Sequence, residues 1–395
     1  MFQRKELILL KKRVAEPRRF IQVVLGPRQV GKTTLIKQLL KKLPFPNHYA
    51  TADAIGENNI EWINQQWQLT RNKLLVSDQL EAVLVIDEIQ KISNWSEIVK
   101  RLWDEDTFSG NQIKIILLGS SKLILQKGLS ESLAGRFEVI FLSHWNFLEM
   151  KTAFGLSVDE FIWFGGYPGA VSLINDENRW KEYIKNALIE TTISKDILML
   201  TRIDKPTLLK NLFDIGITYS GQIVSFTKIL GQLADAGNTT TLSNYLNLLD
   251  LAGLLSGLEK YSPTMIRQKS SSPKFMVQNT AFISATSNKT FKEAKSDPVY
   301  WGRIFESVCG AFLINECRKY NYQLFYWRDR NDEVDFIIQH GEKIIAIEIK
   351  SGFKITYKGM SVFIKRFHPS KSLLVGITGV DIEDFLSMDI RLLFN

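Results

Sequence analysis

From Phe20 to Leu43 the chain passes from a largely β-branched apolar run, Phe20-Ile21-Gln22-Val23-Val24-Leu25, to apolar positions at helical intervals, Leu35, Ile36, Leu39, Leu40 and Leu43. The first pattern predicts a strand and the second a helix, with a loop from Gly26 to Thr34 between them. Pro44 and Pro46 end the helix, and His48 to Asp53 predicts a short second strand. A polar, tryptophan-containing helix over 57–73 leads to Ala82-Val83-Leu84-Val85-Ile86, a buried parallel strand that runs into Asp87 and Glu88. Another apolar strand, Ile113 to Leu118, closes at Gly119-Ser120-Ser121, and Val139 to Leu142 follows the turn Gly135-Arg136. Strands alternating with helices predict an α/β fold built on a parallel sheet.

From His144 the pattern becomes helical and rich in aromatics, broken at Gly165-Gly166-Tyr167-Pro168. A long helix is predicted over 180–200. Two small amphipathic helices, Phe226 to Leu233 and Thr241 to Leu251, then flank Ala236 to Thr240, and a strand-like Gly253 to Leu258 follows. This is the order of a helix-turn-helix with a wing. Its second helix offers Ser243, Asn244, Asn247 and Asp250 but no lysine or arginine, so packing or protein contact is as good a reading as base recognition. Tyr261 to Lys274 reads as a flexible basic linker or wing. The last hundred residues predict a helix over 305–314, strands over 324–327 and 334–338, and an alternating strand over 343–350 that places Ile345, Ile347 and Ile349 on one face and Ala346, Glu348 and Lys350 on the other.

Composition narrows this picture only a little. The 395 residues are 45% hydrophobic and 23% charged, suited to two or three globular domains. Two cysteines, Cys309 and Cys317, lack metal-site spacing and are too few for a disulfide framework, which fits a cytoplasmic protein. Lysines, Arg13 and Glu6 interrupt the apolar residues near the N-terminus, and no apolar run is long enough to span a membrane. The net charge of +8 permits a polyanionic partner without requiring one.

The chemistry is carried first by Gly26-Pro27-Arg28-Gln29-Val30-Gly31-Lys32-Thr33, a GxxxxGKT loop between strand and helix. Such a loop turns backbone N–H groups toward phosphate oxygens, and the helix that follows adds its positive dipole end. Lys32 is placed to reach the β and γ phosphates, and Thr33, followed by Thr34, to ligate Mg2+. Asp87 would hold the magnesium shell and Glu88 would orient and deprotonate water, so that ATP and Mg2+ are the expected ligands. Ser120 or Ser121 is either a γ-phosphate contact or a helix cap, and Arg136 either a transition-state arginine or a surface residue. A second constellation comprises Glu306, Asp335, Glu348 and Lys350. Asp335 and Glu348, on neighbouring strands, have the oxygen chemistry to hold a divalent metal, with Lys350 beside it; an exposed Glu-Lys pair on an edge strand is the alternative.

Together the Gly26–Thr33 loop, Asp87-Glu88, Gly119-Ser120-Ser121, Gly135-Arg136, Gly166-Tyr167-Pro168 and the Glu306/Asp335/Glu348-x-Lys350 set resemble the AAA+ type archaeal and bacterial ATPases with a C-terminal DUF4143 region, over nearly the whole chain. The Gly166-Tyr167-Pro168 motif also looks like that of the related STAND signalling ATPases. The resemblance implies an AAA+ core over 1–145, a helical, lid-like region over 146–205, a winged-helix-like region with basic linker over 206–275, and a domain similar to PD-(D/E)XK nucleases over 276–395. It places Ser120 or Ser121 at the sensor position and Arg136 at the arginine-finger position. Glu306, Asp335, Glu348 and Lys350 match the nuclease motif, which would take Mg2+ or Mn2+. The segment Val277-Gln278-Asn279-Thr280-Ala281 departs from the family, which more often has an aspartate-threonine-glycine there. The implied function is a magnesium-dependent ATPase coupled to a domain that binds and cuts DNA; the alternative is an ATP-dependent signalling or scaffold switch with an inert C-terminal domain. Expected partners are ATP, DNA, and a second copy or another protein, with no membrane.

Overall fold

A computed structural model describes residues 2–119, 129, 132–198, 203–233, 237–263, 271–352 and 358–395. Ser120 and Ser121 lie outside these residues. The chain divides into two compact units, Met1–Leu142 and Ser143–Asn395.

The first unit is organised by β1 (Ile21–Leu25), β2 (Asn47–Thr51), β3 (Glu81–Asp87), β4 (Gln112–Gly119) and β5 (Phe137–Phe141). They pair in the order β2-β3-β4-β1-β5, and every pairing is parallel. All five residues of β1 are buried, as a largely apolar strand covered on both faces requires, with Gln22 the one polar member. The register sets Leu25 opposite Gly119 and Leu118 opposite Asp87, so the C-terminal ends of β1, β4 and β3 lie level. Helix α1 (Glu6–Ala15) precedes the sheet, and α2 (Lys32–Leu40) starts directly at the loop after β1. Helices α3 (Ile60–Leu75) and α4 (Trp95–Ser109) pack together over β3 and β4, where Trp67, Ile63, Val99 and Leu102 join the strand side chains in one apolar core. Asn59 caps α3 by accepting from the Trp62 N–H.

In the second unit, helices Phe147–Phe154 and Val158–Phe164 each open with a reciprocal capping box, Asn146 with Glu149 and Ser157 with Glu160. The helix predicted over 180–200 is not one α-helix. An α-helix over Glu177–Tyr183 gives way to π-helical turns over Ile184–Glu190 and Thr192–Leu198, a change of hydrogen-bond register that apolar spacing does not report. Helices Pro206–Thr218, Phe226–Leu230 and Thr239–Leu251 lead to β6 (Leu255–Lys260) and β7 (Lys274–Val277), which pair antiparallel. These two strands belong to a mixed six-stranded sheet with β8 (Gln323–Asp329), β9 (Asp332–His340), β10 (Lys343–Lys350) and β11 (Lys371–Gly376), in the order β11-β10-β9-β8-β6-β7. The 275/276 boundary therefore passes through β7. β10 is an interior strand, buried from Ile344 to Ile349, so Glu348 and Lys350 do not stand on an edge. The helix predicted from residue 305 begins at Pro298 and runs to Tyr320, which puts Glu306 in its third turn. No helix among the described residues is long and apolar enough to cross a membrane.

Candidate ATP site and the C-terminal acidic cluster

The loop after β1 has the backbone that phosphate binding needs. A Cβ on Gly26 would stand 2.1 Å from the Leu142 carbonyl oxygen, so no larger residue fits there. Gly31 has φ +93° and forms the N-cap of α2, a conformation that favours glycine. Gln29, at the loop apex, is also left-handed at φ +61°. Lys32 is buried, and its ammonium donates to the carbonyls of Gly26 at 2.8 Å and Pro27 at 2.9 Å, spanning the loop it follows. These residues fit a nucleotide's phosphates.

Two further elements complete the site. Thr33 Oγ1, on α2, donates to Asp87 Oδ2 at 3.1 Å at the end of β3. Tyr49, on β2, donates its hydroxyl to the same oxygen at 2.6 Å. Burial and then its bond to Asp87 raise the Tyr49 pKa, so the phenol stays protonated as a donor. Glu88 follows in a left-handed conformation, φ +55°, and its Oε2 accepts from Gln90 Nε2 at 2.6 Å. Thus a hydroxyl and a carboxylate suited to a hydrated magnesium ion meet from α2 and β3, and a second carboxylate stands next to them. The structure brings together Thr33 and Asp87, with Glu88 next to them, as the sequence reading expected, and adds Tyr49 and Gln90, which that reading did not assign to the site; a tyrosine in the second predicted strand carries no motif. Arg136 lies just before β5 and is held by Asp104 of α4, through Nε at 3.0 Å and Nη2 at 3.1 Å.

The C-terminal candidates also come together, around a residue the sequence reading placed at the end of a flexible basic linker or wing. Lys274 is the first residue of β7 and is fully buried, not part of a mobile basic segment. Its ammonium lies 2.7 Å from Glu306 Oε1, 3.3 Å from Asp335 Oδ1 and 3.6 Å from Glu333 Oε1. The other oxygen of Asp335, Oδ2, accepts from the Ile349 N–H at 2.8 Å. Glu348 pairs with Lys350 at 2.7 Å, while its Oε2 is buried without a hydrogen bond. Burial, reinforced by Asp335, raises both Glu306 and Glu348 to about 7, against the attraction of their lysines. Burial would lower the Lys274 pKa, but Asp335 and Glu306 outweigh it and hold the ammonium charged. Among the described residues, no group of three or more acidic, histidine or cysteine side chains has the arrangement of a metal site. The available signal for Lys274 was the apolar Phe275-Met276-Val277 behind it, which marks a strand.

Asn279, at the position of the usual aspartate, is buried. Its Oδ1 accepts from the Gly166 N–H at 3.3 Å and the Ala281 N–H at 3.1 Å, and its amide nitrogen lies 3.3 Å from His144 Nδ1. These bonds tie Asn279 to the Gly166 turn.

Residues 18–151 match the family of AAA domains, residues 156–293 a domain of unknown function, DUF8612, and residues 301–385 the domain of unknown function DUF4143. A protein of Methanocaldococcus jannaschii described as uncharacterized is 28% identical over 83% of this chain and 74% of its own length. One from Haemophilus influenzae, also uncharacterized, is 26% identical over 84% of this chain and 82% of its own. Among solved structures, a Walker-type ATPase of Pyrococcus abyssi has a TM-score of 0.47 at 16% identity, covering 72% of this chain and 95% of that one. The chain thus carries an AAA domain over residues 18–151 and a C-terminal DUF4143 domain over residues 301–385.

Proposed function

We propose that the protein hydrolyses ATP with magnesium and uses the cycle as a conformational switch in the cytoplasm, with the DUF4143-bearing unit as its output. The observation that carries this reading is the meeting of Thr33 and Tyr49 on Asp87, with Glu88 beside it. Magnesium bound with ATP supplies charge neutralisation at the β and γ phosphates. Lys32 and the loop N–H groups hold those phosphates, Thr33 and Asp87 hold the ion and its water, and Glu88 takes the proton of the attacking water. For Glu88 to act, it must leave the Gln90 amide. Lys32→Ala and Glu88→Gln are expected to lower ATP turnover by about a hundredfold or more, with Glu88→Gln still binding nucleotide. Full turnover in both variants removes the assignment. Ser120 and Arg136 are proposed as phosphate-facing auxiliaries, Arg136 after release from Asp104.

The competing reading gives the C-terminal unit DNA as substrate, with Glu306, Asp335 and Glu348 holding Mg2+ or Mn2+ and Lys350 assisting cleavage. The ion pairs of Lys274 favour the switch, because they engage the same carboxylates. An assay of single-stranded, duplex and branched DNA with Mg2+ or Mn2+, with and without ATP, separates the two. Cleavage lost in Glu348→Ala would replace the switch reading.

A further inference from the structure

The residues that the nuclease motif would assign to a metal are occupied from within the fold. Glu306 and Asp335 face the Lys274 ammonium at 2.7 and 3.3 Å, and the second oxygen of Asp335 is spent on the Ile349 N–H. One oxygen of Glu348 faces Lys350. Two oxygens of the cluster, Glu306 Oε1 and Glu348 Oε2, are buried with no hydrogen bond, but Glu306 Oε1 already lies 2.7 Å from the Lys274 ammonium, so a hard divalent ion could take it only by displacing that cation. A divalent ion placed among these carboxylates would also sit within a few ångströms of a buried ammonium, where repulsion is weakly screened. Lys274 has no route to relieve it by swinging into solvent, since it is fully buried with its ammonium 5.0 Å from the centre of the Phe336 ring.

We infer that Lys274 is the resident cation of the C-terminal acidic cluster, linking β7, β9 and the helix Pro298–Tyr320, and that it excludes a divalent metal from that cluster. An intramolecular cation is present at any metal concentration, so the unit's integrity does not depend on metal supply. This deepens the switch reading of the C-terminal unit, and direct metal binding and DNA cleavage test the two separately. A protein that binds Mn2+ here yet cuts nothing overturns the inference alone.

The test uses nucleotide-free full-length protein titrated with Mn2+, free ion being read by electron paramagnetic resonance. Any binding at Thr33 and Asp87 is common to all variants compared. Wild type, Asp335→Asn and Lys274→Arg should bind Mn2+ alike. Lys274→Met, which keeps the length and removes the charge, should gain a site about tenfold tighter or more, lost again in Lys274→Met/Asp335→Asn. A wild-type Mn2+ site removed by Asp335→Asn overturns the inference, as does a folded Lys274→Met that gains no site. If Lys274→Met does not fold alone, recovery of soluble protein on refolding with Mn2+ but not with chelator supports it, and failure of Mn2+ to rescue a variant whose Lys274→Arg counterpart folds overturns it.

Discussion

Tyr49 is the residue at the ATP site whose role is least obvious from its type and most open to measurement. Its hydroxyl shares Asp87 Oδ2 with Thr33, so that one carboxylate oxygen takes two donors from two elements. A hydrogen bond to a charged acceptor contributes about 1.5–3 kcal/mol, and here it fixes the direction in which the other Asp87 oxygen points. On the proposed ATPase reading, Tyr49 would be a positioning residue for the metal shell through Asp87, not one that acts on the phosphates. Tyr49→Phe should raise the Mg2+ concentration for half-maximal ATP turnover about tenfold, as that energy implies. Nucleotide binding measured in chelator should be unchanged. A variant with wild-type Mg2+ dependence would leave Tyr49 a packing residue only.

At the level of elements, the parallel sheet and its loop were legible because the information is local: strand, loop and helix follow one another within Ile21–Leu40. The joining of α3 to α4 was not. Asp106 on α4 is fully buried and accepts from the Trp67 indole at 2.6 Å and from Arg71 Nε at 2.8 Å, both on α3. In the sequence Asp106 sits in an acidic Asp104-Glu105-Asp106 run that looks like a solvated face. Removing one partner of such a buried set strands the other, and costs about 3–5 kcal/mol. Asp106→Ala should lose that much in urea unfolding, while Asp106→Asn, which still offers an oxygen to Trp67, should lose less. Equal losses for the two would mean that the charge, not the indole bond, secures the pair of helices.

Across the whole chain the contrast repeats at longer range. Gly26 to Thr33 declares its chemistry in eight residues, whereas Lys274 meets Asp335 across 61 positions of sequence and only the six-stranded sheet brings them together. Glu306, Asp335 and Glu348 were found by motif, but their motif could not reveal which cation they face. That cation has a consequence for pH. Burial raises Glu306 and Glu348 to about 7, while unfolded glutamates titrate near 4.3. Between those values the folded chain holds more protons than the unfolded chain, so stability falls as pH rises through about 7 and levels off above it. Lys274, with its pKa raised, stays charged throughout and adds no slope. Urea unfolding of the unit Ser143–Asn395, followed within the full chain, should therefore lose stability between pH 5 and pH 8 through these two groups. Other titrating residues contribute to the wild-type curve, which makes the difference from Glu348→Gln the decisive quantity. That variant mimics the protonated carboxyl at every pH, so its stability relative to wild type should rise from pH 5 to pH 8. A difference that is flat across this range, or that rises toward low pH, would mean that Glu348 is ionised in the folded protein and that Lys350 alone balances it.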